Sequence, residues 1–276
     1  MSYGQAVLLG LIQGIAEFLP ISSSGHLSIA QNFLHVSVEE NLFFDVLLHL
    51  GTMLAVFVAY WGDVVGMVTE FFAGADDLLH HRQPERLPPA RRLVLLVIFG
   101  TLPLFAVLPV KDKVETLYNN MWFIAIALLI TGLLLYLCDR YSRGKKTEKT
   151  ATVTDVLLVG LSQAVATAPG ISRSGMTVTM GCFRGFDRRF AVRFSFLLSI
   201  PAVLGANFLT LIDVLREGGI DVSLLPMYLV GVLAAAVSGY LCICLLRFIA
   251  ERGRFGWFAY YCWGVGILTL VLQIIQ

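Results

Sequence analysis

The sequence predicts an all-α integral membrane protein. A single membrane domain over 1–276 would hold about six transmembrane helices and two re-entrant helix–loop–helix hairpins in an inverted repeat. Three observations carry this reading. Of the 276 residues, 57% are hydrophobic and 14% charged, whereas a soluble domain uses roughly 25% charged residues to cover its surface. Six apolar segments reach the roughly 20 residues that a spanning helix needs. The chain also matches itself at an offset of 150 residues. A net charge of +1 offers no basic face for nucleic acid, so none is expected as a partner.

Taken in order, the chain opens with a short apolar stretch, 5–20, which runs into Pro20, Ile21, three serines and Gly25. Its first ten residues lack the basic start and cleavage-like site of a signal peptide, so none is expected. At about 16 residues the stretch is too short to span, and the irregular run after it suits the turn of a re-entrant hairpin. Segment 42–61 is the first full span, ending on Tyr60 and Trp61 as interfacial anchors. Residues 63–80 mix Phe71, Phe72, Leu78 and Leu79 with acids and read as an interfacial helix. Spans 92–110 and 119–138 follow, the second beginning near Trp122. A basic loop, 139–153, leads to a second short stretch, 154–169, which again meets Pro, Gly and Ser. The remaining spans are 190–212, 224–246 and 256–275. Cys138, Cys182, Cys242, Cys244 and Cys262 lie in or beside apolar segments without metal-like spacing, and read as packing residues.

Basic residues orient the bundle. The loop 139–153 carries Arg140, Arg143, Lys145, Lys146 and Lys149 and is assigned to the cytoplasm, with both termini outside. By alternation the cytoplasmic regions then hold 16 of the 20 basic residues. Lys111, Lys113 and Arg216 fall outside, and Arg173 sits in the second hairpin loop. The repeat spans approximately 5–110 and 154–275. Over 8–26 against 158–176 the identities are Leu8/Leu158, Gly10/Gly160, Leu11/Leu161, Gln13/Gln163, Ala16/Ala166, Ile21/Ile171, Ser22/Ser172, Ser24/Ser174 and Gly25/Gly175. One hairpin then enters from outside and the other from the cytoplasm, an architecture that builds a polar site near the midplane where broken helices meet.

The differences between the two copies are chemical. Glu17, Ser23 and His26 face Thr167, Arg173 and Met176, so one loop carries groups that move protons or attack and the other a fixed cation. Ser22, Ser23 and Ser24 precede one half-helix, and Ser172 and Ser174 the other. Serines there cap the helix. Two helix N-termini beside an arginine also make an anion site. The expected phosphate-binding set is Ser22, Ser24, Ser172, Arg173, Ser174 and Thr177, the last one turn beyond Arg173. Glu17 is a carboxylate in an apolar helix with Gln13 at i,i+4, which suits a base or a ligand of a divalent cation shared with phosphate oxygens, and Gln13 could join that ligand set. Ser23 and His26, three apart, suit a nucleophile and its base, with attack by His26 itself or by a water that it activates left open. Asp45 and His49 share a face of segment 42–61 and either line the site or bond between helices.

Gln13-Gly-Ile-Ala-Glu17-Phe-Leu-Pro-Ile-Ser22-Ser23-Ser24-Gly25-His26 resembles the first signature of the bacterial undecaprenyl-diphosphate phosphatase (bacitracin-resistance) family, and Pro169-Gly-Ile-Ser172-Arg173-Ser174-Gly175-Met-Thr177 its second. The Phe194–Pro201 stretch and the segment order resemble it too. The resemblance implies hydrolysis of undecaprenyl diphosphate to the monophosphate carrier for cell-wall synthesis, and bacitracin resistance when overproduced. It implies a divalent cation, magnesium or calcium, and a site opening to the outer face of the bacterial cytoplasmic membrane. It places the catalytic set on Glu17, Ser23, His26, Ser172, Arg173 and Thr177. Gln13 stands at the family's first acidic position, which weakens any two-carboxylate mechanism for this chain. The expected partners are the lipid diphosphate and membrane lipid, with a homodimer left open. The rival class is a transporter or lipid flippase, because inverted repeats with re-entrant loops also build those.

Overall fold

The computed structural model describes residues 1–34, 36, 42–81, 87–110, 113–114, 116–217, 222–252 and 255–275. Arg82, Arg86, Lys111 and Arg254, used in the charge argument, lie outside the described residues.

Two short helices open the chain, α1 (Tyr3–Phe18) and α2 (Ser23–Phe33), followed by α3 (Leu42–Ala59) and α4 (Trp61–Leu79). Then come α5 (Pro89–Thr101), continued as a 3₁₀ helix over Leu102–Val110, and α6 (Met121–Tyr141). The second half holds α7 (Val153–Val165), α8 (Arg173–Phe183), α9 (Arg188–Glu217), α10 (Leu225–Arg252) and α11 (Gly256–Ile275). Among the described residues, six helical stretches are long and apolar enough to span a membrane: α3, α5 with its continuation, α6, α9, α10 and α11. They begin and end a few residues from the apolar segments because helical hydrogen bonding continues into polar ends such as Asp139 and Arg140. α4 buries none of its residues, and Phe71, Phe72, Leu78 and Leu79 are all exposed, as an interfacial helix requires.

Sequence dictates where the two short pairs break. Leu19 precedes Pro20, whose ring excludes the α region for its neighbour, and Leu19 is extended at ψ 141°. After α7, the chain turns through Thr167, Ala168, Pro169 and Gly170, the last at φ +82°, where a side chain would be strained.

The two halves repeat contacts as well as sequence. α1 starts on a capping box in which Ser2 Oγ accepts from Gln5 N and Gln5 Oε1 accepts from Ser2 N. α7 starts on the same box, Thr152 with Asp155, 150 residues on. Gln5 Nε2 donates to Leu34 O, and at the matching position Arg184 donates to the Asp155 carboxylate, which Lys146 also holds at 2.7 Å. α1 crosses α10 where a Cβ on Gly10 would lie 2.3 Å from Gly231 O, and α7 crosses α5 where one on Gly160 would lie 2.0 Å from Gly100 O. Only glycine permits either crossing. α6 packs along α11, and α9 closes on α3 and α8. Phe18 meets Phe196 of the other half edge to face at 5.4 Å, and Phe186, Phe190 and Phe194 pack together within the same core. The five cysteines are free, four of them buried.

Candidate active site

The two breaks meet. Ser24 Oγ accepts from Gly170 N at 3.4 Å, while Ser174 Oγ donates to Leu19 O at 3.4 Å. Each serine thus reaches across to the opposite loop. Ser22 caps α2 by accepting from Gly25 N, and Ser172 caps α8 by accepting from Gly175 N. Each cap satisfies one amide, and the first amides of both helices, which lack an intrahelical acceptor, lie where the two breaks meet.

Glu17 is the hub of that place. It comes from the last turn of α1 and is 7% exposed. Its Oε1 pairs with Arg173 Nη2 from the start of α8. Its Oε2 accepts from Ser23 Oγ at 2.6 Å and from Gln13 Nε2 at 3.1 Å. The other amide atom of Gln13, Oε1, is buried without a hydrogen-bond partner. The Arg173 side chain stays 24% exposed, so its remaining guanidinium nitrogens can reach a ligand from the open side.

His26 is not the partner of Ser23, contrary to the nucleophile–base pairing expected from their spacing. Its Nδ1 lies 2.8 Å from Ser22 O and its Nε2 lies 2.8 Å from Tyr261 Oη. The reason is backbone geometry. Ser22 sits at φ +74°, and its carbonyl captures the imidazole one turn later while Ser23 faces back to Glu17. Such a backbone costs about 1–3 kcal/mol, and it occurs here beside the polar cluster.

Glu17, Gln13, Ser23 and Arg173 form one bonded group, with His26 three residues beyond Ser23 in α2. The hydroxyls of Ser22, Ser24, Ser172 and Ser174 serve caps and cross-links, so these residues shape the site and leave backbone amides to meet an anion. Thr177 turns away: its hydroxyl lies 2.6 Å from Ser195 Oγ and 2.8 Å from Arg173 O. Asp45 takes the interhelix option, accepting twice from Gln31 Nε2 at 3.1 Å. His49 Nδ1 lies 2.8 Å from Asp45 O, one turn earlier in α3. Tyr261, from the last helix, is the contact that motif reading did not reveal, because it belongs to neither loop.

The model of the bacitracin resistance protein BacA family matches residues 6–268. Among curated relatives, an undecaprenyl-diphosphatase of Alkaliphilus metalliredigens is 40% identical over 100% of both chains. One of Methanosphaera stadtmanae is 39% identical over 98% of each chain. One of Methanobrevibacter smithii is 41% identical over 98% of this chain and 97% of its own.

Proposed function

The chain belongs to the BacA family of bacitracin resistance proteins, and from that premise we propose that it hydrolyses undecaprenyl diphosphate to undecaprenyl phosphate and inorganic phosphate. It is a multi-pass membrane enzyme that recycles the lipid carrier of cell-wall synthesis, and its overproduction confers bacitracin resistance. The observation that carries the chemistry is the Glu17–Ser23–Arg173 group between two helix N-termini. A hydroxyl, a base and a cation lie together where an anionic phosphate would be held.

Ser23 Oγ gives its proton to Glu17 Oε2 as it attacks the terminal phosphorus. The new P–O bond forms while the anhydride P–O bond breaks, and undecaprenyl phosphate leaves with the bridging oxygen. Water then attacks the phosphoserine, with His26 Nε2 taking its proton. The Ser–O–P bond breaks, Ser23 regains a proton and phosphate departs. Arg173 and the exposed amides of α2 and α8 stabilise the charge that develops on the phosphoryl oxygens.

The residues fit a divalent cation, magnesium or calcium. Gln13 Oε1 is a buried oxygen without a partner beside Glu17, and hard cations take oxygen ligands. Among the described residues no group of three or more His, Cys, Asp or Glu gathers to hold a metal, so phosphate oxygens would complete the shell. Held by Glu17 and Gln13, the cation would neutralise charge on the diphosphate.

The direct test is phosphate release from C55 diphosphate by purified protein in detergent, with and without chelator. Release that the chelator abolishes is expected. A transporter or flippase would release none, because it needs two compartments to act. Arg173→Lys is expected to lower kcat about 10²-fold, since an ammonium keeps the charge and loses the planar fork. Near-normal turnover would leave Arg173 as a general electrostatic contact.

The membrane is proposed to be the bacterial cytoplasmic one, with the site open to the outside and the two hairpins inserted from opposite faces. What supports this is the charge distribution, with Arg140, Arg143, Lys145, Lys146 and Lys149 in one connection. In a cysteine-free background, a cysteine at position 145 should label only from the cytoplasm and one at 217 only from outside. Labelling of both from one face removes the inversion.

A further inference from the structure

We propose that Tyr261 is the positioning residue of His26, holding the imidazole in the one tautomer and orientation that can serve phosphoenzyme hydrolysis. This rests on the reading of His26 given above. Ser22 O only accepts hydrogen bonds, so His26 Nδ1 must carry the proton at their 2.8 Å contact. Nε2 is then the lone-pair nitrogen, and the Tyr261 hydroxyl donates to it at 2.8 Å. The two rings also stack, with centroids 5.6 Å apart and planes 14° from parallel. Backbone, hydroxyl and ring face together leave the imidazole a single pose.

Tyr261 is itself fixed by its neighbours in sequence. Cys262 Sγ donates to Pro20 O at 3.6 Å, and Trp263 Nε1 donates to Leu129 O at 3.1 Å. Three consecutive residues of α11 therefore touch α2, the first loop and α6. That register delivers the Tyr261 hydroxyl to a nitrogen 235 residues away in sequence. A phenol suits the task for a further reason. It donates to Nε2 in the resting site, turns its hydrogen aside to free that lone pair for the proton of the attacking water, and then accepts from Nε2–H. The ring thus keeps its place through the protonation change.

The proposal separates the two chemical steps. Ser23 attack uses Glu17 and does not involve His26, whereas hydrolysis of phosphoserine does. Tyr261→Phe keeps the stack and removes the hydroxyl. It is expected to lower kcat about 10-fold, a fraction of the ~10²–10⁴ that a positioned base supplies, with KM unchanged. Rapid mixing should show a burst of released undecaprenyl phosphate that the wild type lacks. Nitrogen-15 spectra of labelled histidine should show His26 as the Nδ1–H form in the wild type and as a tautomer mixture in the variant. Tyr261→Leu, which removes the stack as well, should be slower still. In a His26→Ala background, Tyr261→Phe should add nothing. An unimpaired Tyr261→Phe beside an inactive His26→Ala overturns the role of Tyr261 alone. A fully active His26→Ala overturns the reading of the site on which it rests. Losses that multiply in the double variant also overturn the proposal, since they show Tyr261 acting elsewhere.

Discussion

Glu17→Gln is expected to cost about 10²–10⁴ in kcat, the range of a positioned general base. The side chain is nearly isosteric, so shape survives while two functions go. The amide cannot take the Ser23 proton that Oε2 receives across 2.6 Å, and it leaves Arg173 without its counter-charge. Losing one partner of a buried pair costs about 3–5 kcal/mol. With Arg173 still 24% exposed, solvent and bound substrate offset part of that. Activity should therefore fall further than stability, and thermal unfolding in detergent checks the second term. Glu17→Asp keeps the charge but shortens the reach, and should lie between the two. If Glu17→Gln turns over at near-wild-type rate with normal folding, Glu17 is a structural acid that holds Arg173.

The repeat made much of the site legible in advance. Its identities fall on matched roles: Ser22 and Ser172 cap helices, Ser24 and Ser174 reach to the facing loop, and Gly10 and Gly160 permit the crossings. The caps join residues three apart, so pattern reveals them directly, whereas the cross-loop bonds and the crossings join distant residues and show in the sequence only as identities between the copies. The partners of those glycines were not legible. Gly100 and Gly231 are 131 apart, 19 short of the repeat offset of 150. The helix α4, present only in the first half, is 19 residues long. α4 stands between α3 and α5, whereas among the described residues no helix of that length separates α9 from α10, so the register shifts beyond α3. Two further features needed three dimensions. Ser23 and His26 are close in sequence, yet the positive φ of Ser22 sends them to different partners. Tyr261 has no pattern at all, since its address is set by helix packing.

Ser23→Ala is expected to be nearly inactive, with kcat down by more than about 10³-fold, because it removes the attacking oxygen rather than an aid to attack. Its hydroxyl is already hydrogen-bonded to the base at 2.6 Å, at the start of α2, where unpaired amides would meet the bound phosphate. His26→Ala should differ in kind. The first step survives and the phosphoenzyme builds up, and added imidazole should partly restore turnover. Brief exposure to substrate labelled in its terminal phosphate, followed by acid, should therefore trap phosphoserine at Ser23, more strongly in His26→Ala than in the wild type. Phosphoserine survives acid, whereas phosphohistidine is lost in acid and stable in alkali, so the quench itself tells the two apart. An alkali-stable adduct on His26 would make imidazole the nucleophile, and the Tyr261 hydroxyl would then sit on the attacking nitrogen. If neither adduct forms and Ser23→Ala keeps substantial turnover, water attacks directly with Glu17 as its base. Ser23 would in that case be a phosphate ligand at the helix end, beside Ser22, which caps α2, and Ser24, which bonds the facing loop.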